Sequence, residues 1–144
     1  WGNSQIVDKV IQEDIEKTDF VYAYFQERDN RVDCYDSVRR EGIPIVESME
    51  YEDYLRKLKT YKYCISPEGN GIDCHRTWEA LYMKTIPICK RSVLVEHFAK
   101  TFPIYIVDDW KNLDVNDLEK QYDSFNWDNW NLLDFETYCR WIEL

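Results

Sequence analysis

Apolar residues return along this chain in two alternating rhythms. In the first stretch Ile6, Val7, Val10, Ile11 and Ile15 recur at three- and four-residue steps, which puts them on one helix face, with Ser4 able to cap it. Phe20-Val21-Tyr22-Ala23-Tyr24-Phe25 is an unbroken run of strand formers and predicts the first strand. Val32, Tyr35 and Val38 then predict a helix running to Arg40, with Gly42 as its stop. Ile43-Pro44-Ile45-Val46 predicts a short second strand, and Pro44 puts it near an edge or makes it start late. Tyr54, Leu55 and Leu58 share one face of a helix expected over 51–61. Tyr63-Cys64-Ile65 predicts a third strand, 72–84 a helix, and Ile86-Pro87-Ile88-Cys89 a fourth strand. A helix over 93–100 and a fifth strand at Ile104-Tyr105-Ile106-Val107 follow. Beyond these, 112–144 predicts a helical extension joined by a Trp-rich segment over 125–130. Strand and helix alternating at roughly 20-residue steps is the signature of a doubly wound α/β fold. The expected architecture is therefore one Rossmann-like, three-layer domain over 1–144 with about five mainly parallel strands and a helical C-terminal extension.

Composition narrows the partners. Of 144 residues, 44% are hydrophobic and 16% aromatic, enough for a real core. Eighteen basic against 28 acidic residues leave a net charge of −10, which repels nucleic acid and anionic membranes as general partners. An anionic ligand then needs a local concentration of basic groups and helix N-termini. The five cysteines, Cys34, Cys64, Cys74, Cys89 and Cys139, show no Cys-x-x-Cys spacing, so neither a zinc nor a redox site is expected. A reducing compartment is the simpler expectation. No apolar run approaches the ~18 residues needed to cross a bilayer. A chain opening on Trp1 is expected to be a piece of a longer protein.

One segment carries chemistry. Ser66-Pro67-Glu68-Gly69-Asn70-Gly71-Ile72-Asp73-Cys74-His75-Arg76-Thr77-Trp78-Glu79-Ala80-Leu81 leaves a predicted strand and opens a predicted helix, where open α/β sheets bind ligands. Gly69 and Gly71 allow close approach of the backbone to a ligand. Asp73 is a natural N-cap, which puts Arg76 in the first turn among free amides that attract phosphate. His75, Arg76 and Glu79 stand at i, i+1 and i+4 and share one side of the helix. An arginine, a histidine and a helix N-terminus can neutralise a departing diphosphate without a metal, and a carboxylate one turn deeper can hold ribose hydroxyls.

The same residues, with Tyr63-Cys64-Ile65 before them and Ile86-Pro87-Ile88 after, closely resemble the donor-domain motif of exostosin-like glycosyltransferases of the GT-B fold. The likeness extends more weakly to 21–25 with Arg31, and to Ile106-Val107-Asp108-Asp109-Trp110. It implies a nucleotide-sugar-binding domain that transfers a sugar from a nucleoside diphosphate sugar to a hydroxyl of a glycan or protein. By that resemblance Glu79 binds the ribose. Arg76 and the turn of Gly69, Asn70 and Gly71 face the diphosphate, with Ser66, His75 and Asp73 lining the same site. It also implies an acceptor domain outside this chain, and it makes a Golgi lumen an alternative compartment. The family carries glycine before the Ile-Pro strand where this chain has Lys84-Thr85, and a non-glycine helix stop there costs about 1 kcal/mol.

Each residue also has an ordinary reading. Glu79 alone would be a solvated helix carboxylate, and Asp73 is a cap sooner than a catalytic base. Arg28 and Arg31, Lys90 and Arg91 follow strands on the ligand edge, where they either reach the diphosphate or stay solvated. His97 is expected to be ordinary, Asp108-Asp109 a strand-end turn, and Trp78 and Tyr82 core residues. Trp127, Trp130 and Trp141 are expected to dock the C-terminal extension. The rival function is a non-catalytic Rossmann-like module that binds a nucleotide or a partner protein.

Overall fold

A computed structural model of the chain describes the backbone of residues 4–23, 32–47, 49–66 and 75–130, and the side chains of all of these except Ser4, His75 and Arg76. Among the described residues six helices and four strands follow in the order α1 (Ser4–Gln12), β1 (Asp19–Tyr22), α2 (Val32–Arg40), α3 (Tyr51–Lys59), β2 (Tyr61–Ile65), α4 (His75–Tyr82), β3 (Ile86–Lys90), α5 (Val93–Ala99), β4 (Tyr105–Val107) and α6 (Val115–Gln121). Short 3₁₀ turns, Trp110–Asn112 and Tyr122–Ser124, flank α6. The four strands form one parallel sheet in the order β1-β2-β3-β4. Parallel strands are covered on both faces and so read as near-continuous apolar runs. Tyr63, Cys64 and Ile65 are fully buried accordingly.

Side chains alternate across the pleat into two cores. Tyr22, Cys64 and Cys89 point to the side covered by α1, α3, α4 and α5, where Val10, Leu55, Leu58, Trp78, Leu81 and Phe98 meet them. Val21, Tyr63, Ile65, Ile86 and Ile88 point to the side covered by α2, the Trp110 turn and α6, against Val38, Trp110 and Leu118. The arrangement is a three-layer α/β/α sandwich of the Rossmann-like kind. Trp78 and Tyr82 lie in the core, as their pattern predicts. Cys34, Cys64 and Cys89 are buried, and among the described residues none of them is in a disulfide. Among the described residues, no helix is long and apolar enough to cross a membrane.

The sheet has four strands where five are expected, and the difference lies at 43–46. The Val46 N–H donates to the Ala23 carbonyl over 2.7 Å, which brings this segment up to the carboxyl end of β1. It adds no regular ladder: Pro44 has no N–H to donate, and Pro44 and Ile45 remain exposed. The segment still shapes the winding. α2 precedes it and packs on one face, whereas α3 follows it and packs on the other. With right-handed crossovers, that change of face marks a reversal in winding direction at β1.

Helix ends are set locally. Gly42, at φ +71°, closes α2 with the Ile43 N–H on the Val38 carbonyl (3.1 Å), as the pattern predicts. α4 closes in the same way on a residue less suited to it. Lys84 takes φ +56°, and the Thr85 N–H reaches the Ala80 carbonyl at 2.8 Å. At this amino edge of the sheet the Lys17 ammonium donates to the carbonyls of Lys59 (2.9 Å), Tyr61 (2.8 Å) and Met83 (3.3 Å) and to the Thr85 hydroxyl (3.0 Å). It thereby ties the end of α3 to the end of α4. Burial, and then the neighbouring Lys59 ammonium, hold the Lys17 pKa down to about 7.

Candidate functional site

The candidate site lies at the carboxyl edge of the sheet, beside the point where the winding reverses. β2 ends in Ile65, and α4 begins at His75. The two ends of the connection are pinned together. The Ser66 N–H donates to the Ile88 carbonyl (3.0 Å), and the Ser66 and Thr77 hydroxyls share a hydrogen bond of 2.7 Å, both residues being buried. Thr77 also approaches the Cys89 sulfur at 3.9 Å. The hydroxyl of Ser66, expected to line a ligand site, is thus engaged with α4. Gly69, Asn70, Gly71 and Asp73 lie outside the described residues, as do Arg28 and Arg31. α4 is continuous from His75, so Arg76 stands in its first turn, with Glu79 three residues on.

Glu79 is 7% exposed. A carboxylate so enclosed is unstable unless polar groups replace the water it loses. Tyr54 of α3 supplies one, its hydroxyl donating to Glu79 Oε1 over 2.9 Å. The Tyr51 hydroxyl, one helical turn earlier, is also enclosed. Burial, and then its close contact with Glu79 through hydrogen bonding and charge, push the Tyr51 pKa upward. The Tyr54 ring stands between those of Tyr22 and Tyr51, at centroid distances of 5.8 and 5.9 Å. Sequence reasoning assigned Tyr54 to the apolar face with Leu55 and Leu58, and it singled out neither Tyr51 nor Thr77. The signal available was two hydroxyl-bearing rings at i and i+3 opening an otherwise apolar helix face.

Other candidates are accounted for by protein contacts. Arg91, after β3, pairs with Asp108 beyond β4 and with Glu96 of α5 (2.5 Å), which occupies its guanidinium. Lys90 is half-buried at the end of β3. Asp109 accepts from the Lys111 N–H (3.0 Å) and caps the 3₁₀ turn, the strand-end role expected of it. His97 is exposed on α5, with its ring 5.7 Å from Phe98. The Trp130 indole N–H donates to the Leu81 carbonyl (2.9 Å) and Trp127 packs on both cores, whereas Trp141 and the rest of the expected C-terminal extension lie outside the described residues. Among the described residues no three His, Cys, Asp or Glu side chains converge as a metal site would require. A cavity of about 400 Å³ opens at the opposite, amino edge, but Asp19, Glu119 and Asp123 line it against Lys62 alone. That lining repels a phosphate.

No protein-family model matches the chain, and no curated protein is significantly similar to it.

Proposed function

We propose that this chain is the nucleotide-sugar-binding domain of a glycosyltransferase, holding a nucleoside diphosphate sugar along 66–79 at the carboxyl edge of the sheet. The observation that carries this reading is the buried carboxylate of Glu79, at the carboxyl edge, within the first turns of α4 and beside the reversal of winding. Ligands of open α/β sheets bind at such a reversal. A buried charge is costly to the fold, and costly ionisable groups concentrate where they serve a ligand. In this reading Glu79, oriented by Tyr54, accepts hydrogen bonds from the ribose. A carboxylate has about four acceptor positions, so one tyrosine does not exhaust it. Arg76 and the opening amides of α4 meet the charge that develops on the diphosphate as the bond from the sugar's anomeric carbon to phosphate oxygen breaks, with no call on a metal. The new bond joins the anomeric carbon to a hydroxyl oxygen of a glycan or protein held by a separate acceptor domain.

A competing reading, a non-catalytic nucleotide- or protein-binding module, draws support from the same residue. At 7% exposure, and with Tyr54 already bound to it, Glu79 also fits a purely structural carboxylate. Calorimetric titration with uridine and guanosine diphosphates separates the two. Micromolar binding that disappears in Glu79→Gln, with the melting temperature kept, is expected of the donor site. A folded chain that binds neither nucleotide, together with a lower melting temperature in Glu79→Gln, favours the interaction module.

A further inference from the structure

Thr77 is the third residue of α4 and directly follows Arg76. Its hydroxyl meets that of Ser66, just beyond the last residue of β2, over 2.7 Å, and both residues are buried. Ser66 is itself fixed to the sheet, since its N–H donates to the Ile88 carbonyl of β3 (3.0 Å). A run of hydrogen bonds therefore leads from the ladder, through two hydroxyls, into the first turn of α4. Tyr54 ties the same helix to α3 through Glu79, and Trp78 and Leu81 hold it by apolar packing. Apolar contact is non-directional and lets a helix slide or turn by fractions of an ångström, whereas a hydrogen bond fixes distance and angle. Threonine is stiff at χ1, so holding its oxygen holds the backbone behind it. Replacing both partners of a buried pair by apolar groups of the same shape costs a fold little, so what such a pair supplies is direction more than stability. Direction is what a binding site needs: its groups must be held to within about 0.5 Å, by residues that do not themselves meet the ligand.

We propose that the Ser66 and Thr77 hydroxyls are positioning groups for this site: by clasping the end of β2 to the first turn of α4 they preset the backbone at Arg76 for the diphosphate, and neither touches the ligand. The inference rests on the nucleotide reading above, and its test keeps the two apart.

Uridine and guanosine diphosphates are titrated into the wild-type chain, Thr77→Val, Thr77→Ser and the double variant Ser66→Ala with Thr77→Val, each well below its own melting temperature. Thr77→Val and the double variant are expected to bind the preferred nucleotide about tenfold more weakly, the order that follows when fixing one backbone residue falls to the ligand. The double variant leaves no hydroxyl unpaired and should melt close to the wild type, so its loss of affinity reports position and not unfolding. Thr77→Ser keeps the hydroxyl and loses a methyl, so it should melt lower yet bind as the wild type does. Wild-type affinity in the double variant overturns the clasp and leaves the nucleotide site standing. Equal weakening in Thr77→Val and Thr77→Ser overturns it as well, since packing and not the hydroxyl would be at work. A folded wild type that binds neither nucleotide removes the nucleotide reading, and the positioning role with it.

Discussion

Lys84 holds a backbone conformation that belongs to glycine. Its φ of +56° sets the Cβ against the following carbonyl, and α4 stops there because the Thr85 N–H closes onto Ala80. The side chain recovers part of the cost by laying its ammonium over the Trp130 ring, 4.9 Å from the centroid. Lys84→Gly and Lys84→Ala both lose that contact, so comparing them isolates the backbone term. The glycine variant is expected to be the more stable by about 1 kcal/mol in urea unfolding, and equal stability would mean that no strain is stored there. Tyr54 makes a second case. Tyr54→Phe takes one donor from a buried carboxylate and should lower the unfolding free energy by about 1–3 kcal/mol, read from the same urea curves. The end of α4 was legible in the sequence to within two residues, because the helical pattern runs to Lys84 and gives way to the apolar run of β3. The partner of Glu79 was not: it comes from 25 residues earlier in the chain.

Among elements, the junction of β2 with α4 matters most. Ser66 ends the strand side and Thr77 stands in the helix, and their hydroxyl pair brings two points 11 residues apart into contact above the end of β3. A double-mutant cycle on Ser66→Ala and Thr77→Val should give a coupling of about 1 kcal/mol, and additivity of the two losses would sink the claim that they act together. The strand and the helix were each legible here, since each follows from neighbours within a few positions. The segment at 43–46 went the other way. Its apolar content reads as a strand, but Pro44 withholds a ladder donor, and the segment gives one hydrogen bond, from Val46 to the Ala23 carbonyl just beyond β1.

For the whole molecule, the sheet is tied along its amino edge by one ammonium. Lys17, lowered to about 7, is neutral in the folded chain over the range from there to its ordinary 10.5, whereas the unfolded chain still binds that proton. The unfolding free energy therefore rises with pH between about 7 and 10. Beyond the ordinary tyrosine value of 10.0 the sign reverses. Burial raises Tyr63 and Tyr105, so the unfolded chain loses protons there that the folded chain keeps, and stability falls. Denaturant titrations at a series of pH values should trace this maximum. Lys17→Met should be less stable overall, having lost four hydrogen bonds, and should show a flatter slope from pH 7 to 10. An unchanged slope would dismiss Lys17 as its source.

The sequence by itself determined the alternation of helix and strand, the stop at Gly42 and the position of Glu79 just inside α4, because these depend on side chains within one turn or one pleat. Tertiary structure alone decided that four strands pair where five apolar runs exist, that the winding turns back at β1, and that two tyrosines of α3 close around Glu79. Periodicity says which face of an element is apolar. It carries no information on which distant element will cover that face, because that choice belongs to crossovers and edges formed after the local elements exist.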